Sequence, residues 1–350
     1  MGTMLKLPHP DRVTPHEDYG FFGPDSVTWK VWTYPTSLTV GFQRSVVIEE
    51  LDPALIAAVD QTDAVRYRPR TRYDRTMRYF ATISLGDTRS AMTASDVLVK
   101  VHAKAVGIEP LSGNPYDAND PHSQLWIHLT AWHSILYAYE KYGPGKLAPQ
   151  EEAQYWEECA VAAELQTCSP DDVPRSREGI REYFEEMRPK LAGSEAAQSM
   201  MDHLLKAEIM LPPMPKVFQP GAWVVGRVLR AATIATMPTW MRKMGGTPQP
   251  KVVDALVTPI MKISFRLATL NKRVELALLA FLTPSTYPVA APALFGVPPK
   301  NPETLTIAQA RERYGILPPT EEYARFKALV AEKKANREDH VFEEVLGPVA

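Results

Sequence analysis

Cysteine is almost missing from this chain: Cys159 and Cys168 are the only two in 350 residues. That excludes a disulfide framework and any CxxC zinc or redox pair, and leaves two free, buried or half-buried thiols as the expectation. An excess of one charge is missing too. With 39 basic against 41 acidic side chains and a net charge of −2, the whole protein has no excess charge with which to dock on nucleic acid or an anionic membrane, although local patches remain open. The opening MGTMLKLPHPDRVTPHEDYG has no apolar run and is broken by prolines, so it is not read as a signal peptide and a cytoplasmic location is expected. One long uncharged stretch exists, Leu276 to Pro299, and five prolines interrupt it. It reads as a buried helix end and loop; its alternative, shallow contact with a bilayer or a greasy substrate, leaves peripheral membrane association open.

Familiar site motifs are also lacking. There is no GxGxxG, no GxSxG elbow, no HExxH and no paired Glu-x-x-His of a di-iron bundle. In YGPGKLAPQ, Leu147 stands where a phosphate loop needs a hydroxyl.

What is present is helical periodicity. Asp52-Pro53 and Asp120-Pro121 are cap-plus-proline helix starts, and Gly143 closes the second helix. TASDVLVKVHAKAV puts Leu98, Val101, His102, Ala105 and Val106 on one stripe, expected to pack on a core. The next helix aligns Leu125, His128, Leu129, Trp132 and Leu136. Further helices are expected along the chain, including one continuous helix from PKVVDALVTP to ELALLAFL. SVTWKVW and SLTVGF are the only strand candidates. The fold class is mainly α, a single globular multi-helix domain over residues 21–336 with an arm at 1–20 and a tail at 337–350; a boundary near Leu211 to Gln219 is the alternative.

Among the histidines, His102, His128 and His133 lie on two successive helices rich in apolar neighbours. A buried imidazole must hydrogen-bond an acceptor or bind something, because an unpaired buried polar group costs about 1–3 kcal/mol. Upstream of His102 stand Arg66, Arg68, Arg70, Arg72, Arg75 and Arg78. Several cations beside an apolar histidine helix suit a flat, apolar cofactor with carboxylates, and haem is such a cofactor. His128 either lines the same cavity, meets a propionate, or hydrogen-bonds across the core. His133 points elsewhere, and a basic run such as RTRYDRTMR can equally be a solvated helix face.

In order and spacing, FFGPDSVTWKVW, RYDRTMRYFATISLGD, HAKAVG, NPYDANDPHSQLWIHLTAWHSILYAYEKYG and VPRSREGIREYFEEM resemble the oxygenase family that contains ER-bound MpaB and the latex clearing protein, a rubber oxygenase. The resemblance spans about Phe21 to Met187. It implies an all-helical fold around haem b, with His102 as the proximal iron ligand, although His-Ala-Lys-Ala-Val-Gly carries one residue more than the family's H-x-x-V-x-G. The family's Arg-x-x-Lys-Thr is represented by Arg72, Arg75 and Thr76. A guanidinium stays protonated and ligates iron poorly, so with Arg75 in place of lysine the sixth position is expected to be open or water-bound. The resemblance assigns Arg72 and Thr76 as the catalytic pair that orients dioxygen, and His102, Arg75 and His128 as cofactor contacts. The family's distal acid matches Glu49 or Glu50 only by rough position. The expected activity is haem-dependent oxygenation of a hydrophobic substrate of the prenyl or another unsaturated class; a haem carrier or sensor, or a haem dehydrogenase or peroxygenase, is the alternative.

Overall fold

Helix starts fall where short polar side chains can reach the free amides of a first turn. Ser26, Asp87, Asp120, Ser176, Ser194, Asn271 and Thr306 each accept a hydrogen bond from the first turn of the helix that follows. The computed structural model describes residues 8–62, 64–207 and 211–335. The first six helices are α1 (Val27–Trp32), α2 (Phe42–Glu49), α3 (Pro53–Thr62), α4 (Ala64–Tyr67), α5 (Pro69–Leu85) and α6 (Thr88–His102). A two-stranded antiparallel ribbon, β1 (Val106–Ile108) and β2 (Pro115–Asp117), follows. Then come α7 (Pro121–Tyr142), α8 (Pro149–Ala163), α9 (Arg177–Met187), α10 (Glu195–Leu204), α11 (Gln219–Thr236) and α12 (Thr239–Met244). The chain continues through α13 (Lys251–Ala268), α14 (Lys272–Leu282), α15 (Tyr287–Phe295), α16 (Ile307–Tyr314) and α17 (Pro319–Ala335). The molecule is a single all-α domain.

Its axis is α7, which buries Leu125, Trp126, Leu129, Trp132, Ile135 and Tyr139 along its length. Neighbouring helices α1, α2, α8, α11 and α13 pack around it. The α2 side approaches so closely that a Cβ on Gly41 would stand 3.0 Å from the Ile135 Cα. Glycine is therefore required for the crossing that brings the end of α2 to α7.

Three expectations change and one alternative falls away. SVTWKVW is α1 and SLTVG is a π-helical turn, because both runs are buried against α7 on helical geometry and are not paired. The continuous helix expected up to Leu282 breaks at Thr269, and Asn271 caps a new start. The stripe beside His102 does not pack wholly on the core: Val101 and Val106 are 48% and 46% exposed. No boundary separates the chain near Leu211, since Thr233 donates to Gln43 at 2.7 Å and Arg44 donates to the Thr236 carbonyl at 3.3 Å, tying α11 to α2. Cys159 and Cys168 are both buried and unpaired, as expected. The tail at 337–350 lies outside the described residues.

Candidate active site

Gly86 and Asp87 alone connect α5 to α6. Asp87 caps α6 through the Ser90 amide at 2.7 Å. Asp18 accepts from the Thr88 amide and hydroxyl at 2.7 and 2.8 Å, and Gly20, at φ +72°, lies on the Gly86 carbonyl where a Cβ would collide. With the corner fixed, Arg72 on α5 and His102 on α6, each roughly four turns away from it, come together at the open end of the pair. The C-terminal end of α2 brings Glu49 and Glu50 there as well, within the field of the same guanidinium.

His102 is half-buried. Burial, and then the Arg72 charge, lower its pKa to about 4, against the opposing pull of Asp117 on β2, so the ring is neutral at physiological pH. Its Nδ1 lies 3.1 Å from the Gln124 amide nitrogen, which also donates to the Ala118 carbonyl at 2.5 Å. Its Nε2 makes no hydrogen bond to any described residue. On the segments that flank it in sequence, Val101, Val106, Ile108 and Leu111 are exposed, together with Lys104.

The two carboxyls differ. Glu49 accepts from Ser45 Oγ and from Thr130 Oγ1, the latter at 3.1 Å. Burial outweighs these bonds and the Arg72 charge and raises its pKa to about 7. Burial, reinforced by Glu49, raises Glu50 to about 8, and Glu50 Oε2 is buried with no hydrogen-bond partner. Two such neighbours retain at least one proton between them at neutral pH.

The remaining expected site residues divide. Thr76 is half-buried one turn inward from Arg72, and its hydroxyl bonds no described residue. Arg75 shares that face of α5 and is exposed. Beyond them Tyr79 buries an unpartnered hydroxyl. His128 is not on this surface. Its Nε2 donates to the Cys159 carbonyl at 2.7 Å and its Nδ1 meets the Gln166 amide at 3.0 Å, so both nitrogens are engaged in the core and neither is left for a cofactor. His133 packs against Phe184 with centroids 5.0 Å apart and the rings tilted by 50°, and lies 3.4 Å from Arg44. Gln124 and Asp117 escaped the sequence reading, because nothing in DANDPHSQ separates them from capping and turn residues. A surface cavity of about 310 Å³ beside His16, Asp87, Ser90 and Lys300 lies at the corner end of α5 and α6 and shares no residue with the cluster.

Residues 29–268 match the family described as ER-bound oxygenase mpaB/B′ and rubber oxygenase, catalytic domain. The chain belongs to this family. The matched span contains Glu49, Glu50, Arg72, Thr76, His102 and Gln124, and family membership makes the chain an oxygenase-type enzyme. No curated protein and no solved structure matches it.

The donor set fits haem. Among the described residues no group of three or more His, Cys, Asp or Glu side chains is placed to hold a metal ion, whereas a porphyrin brings four ligands and requires only an axial one from the protein. A neutral imidazole whose Nε2 bonds no described residue meets that requirement. As placed, Gln124 donates to Nδ1 and leaves the ring proton on Nε2. Ligation requires that proton on Nδ1 and the Gln124 amide oxygen turned toward the ring, releasing the Ala118 carbonyl.

Proposed function

We propose that the protein is a haem b-dependent oxygenase that joins dioxygen to a hydrophobic, unsaturated organic substrate. The observation that carries this reading is the convergence of Arg72, a neutral His102 whose Nε2 bonds no described residue, and a buried carboxyl pair at the open end of α5 and α6. When bound at His102, haem would supply the one-electron and dioxygen chemistry.

The chain's own groups do the rest. His102 would hold the group, and Gln124, with its amide oxygen turned to accept from Nδ1, would fix the ring's orientation and the ligating tautomer. Arg72, exposed on α5, supplies a fixed positive charge, and the free Thr76 hydroxyl a second donor, to orient dioxygen. Glu50, unpartnered at Oε2 and raised to about 8, holds or accepts a proton near neutral pH. Exposed Val101, Val106 and Ile108 give an apolar substrate a surface to lie on. Arg75, exposed on the same helix face, is free to meet a propionate and does not ligate.

Haem titration of the purified chain tests this. The expected result is a stoichiometric Soret band that His102→Ala loses or shifts, and an Arg72→Gln variant that keeps the band while substrate-dependent dioxygen uptake falls about 100-fold. Absence of stoichiometric haem binding would return His102 to a purely structural role.

A further inference from the structure

Apolar surface of unusual extent is exposed on α13 and the start of α14. On α13, Val257, Met261 and Phe265 are buried against Val228, Leu229, Ala232 and Ala235 of α11. On its opposite side, Val252, Leu256, Ile260, Ile263 and Leu267 form a second stripe at spacings of three and four, each at least 50% exposed. The stripe continues through Leu270, which is 75% exposed, to Val274 and Leu278. Beside it, the first half of α11 projects Trp223, Val224 and Val225, all more than half exposed, with Arg227 over the Trp223 ring at 5.6 Å.

Charge is segregated onto the same elements. Residues 211–299 contain ten basic and two acidic side chains, so this segment carries +8 while the rest of a chain of net −2 carries −10. Both acids are taken, Asp254 by Arg242 at 2.8 Å and Glu275 by Lys272 at 3.0 Å. Lys251, Lys262 and Arg266 lie exposed along one flank of the stripe, with Arg273 following on α14, and none of them makes an ion pair with a described residue. No helix here is long and apolar enough to cross a membrane.

We propose that this face is a peripheral docking surface for a bilayer rich in anionic lipid, with the apolar stripe seated among the acyl chains' upper carbons and the flanking cations on the headgroups. Charge complementarity decides the occupant. A second copy of the chain on a twofold axis would set this cationic face against itself, whereas an anionic bilayer matches it. The length also favours a plane: α13 alone is about 27 Å long. The proposal is independent of the haem reading, and its failure would leave that reading untouched.

Co-sedimentation of the full chain with phosphatidylcholine vesicles, with and without phosphatidylserine, tests it. Expected are at least tenfold stronger binding to the phosphatidylserine vesicles, weakening with salt, and a blue shift of tryptophan emission that Trp223→Ser diminishes. Lys262→Glu with Arg266→Glu, and separately Ile263→Ser with Leu267→Ser, should each reduce binding at least tenfold at an unchanged thermal midpoint. Equal binding to both vesicles, or binding that survives both pairs, overturns the proposal. So does a dimer in sedimentation equilibrium that the serine pair dissociates, and so does binding that appears only when the acidic segment 336–350 is removed.

Discussion

At His102 one imidazole nitrogen is held and the other is free, whereas at His128 both are engaged. The pattern on each helix looked alike in the sequence. What separates them is the partner: His128 meets a carbonyl and an amide contributed by α8 and the turn after it, which no periodicity on α7 reveals. Arg72 and His102 were legible because cations next to an apolar histidine stripe are unusual. Glu49 and Glu50 were placed only roughly, since two adjacent glutamates look like any solvated pair until burial is known. That burial has a measurable sign. Glu50's folded pKa of about 8 lies above the ordinary value of 4.5, so its stability contribution is full below pH 4.5 and is lost as pH rises toward 8. Glu50→Gln should therefore match the parent near pH 4.5 and exceed it above pH 8 by on the order of 2–4 kcal/mol, read as the urea midpoint at each pH. Equal midpoints at pH 8.5 would place Glu50 in contact with water.

The α5–α6 corner and the α2–α7 crossing determine whether the site assembles. Cap-plus-proline starts made α3 and α7 readable to within a residue or two, with Gly143 closing α7, whereas α6, expected over the run from Thr93 to Val106, begins at Thr88 and ends at His102. SVTWKVW was not, because a short, tryptophan-rich alternating run suits a strand and a buried helical turn equally. The three-residue strands of the ribbon after His102 are too short to carry any pattern, yet β2 places Asp117 in the field of the histidine. Gly41→Val tests the α2–α7 crossing. With a Cβ 3.0 Å from the Ile135 Cα and 3.2 Å from the Thr36 carbonyl oxygen, overpacking should cost about 1–3 kcal/mol and lower the thermal midpoint by about 1–4 °C. Because α2 carries Glu49 and Glu50, the same variant should blunt the alkaline loss of stability described for Glu50. An unchanged midpoint would mean that the helices can separate without cost.

Across the whole molecule, polarity is divided between an acidic body that holds the candidate active site and a cationic, apolar face on α11, α13 and α14. The one-domain, all-helical architecture was readable from periodicity; this division was not, because the overall charge of −2 cancels it and the apolar stripe of α13 resembles any core-facing one. Family membership makes the chain an oxygenase-type enzyme, and we propose that the Arg72, His102 and glutamate cluster at the open end of α5 and α6 is where its chemistry takes place. The central claim is that His102 Nε2 is the axial ligand of haem. It is tested most directly with His102→Gly, which leaves a cleft where the ring stood, by recording the visible and electron paramagnetic resonance spectra of the haem-loaded variant with and without added imidazole. The account expects the variant alone to lose the histidine-ligated spectrum and exogenous imidazole to restore it, with Arg75→Ala as a control that leaves the axial signal intact. A His102→Gly spectrum identical to that of the parent without imidazole would contradict it.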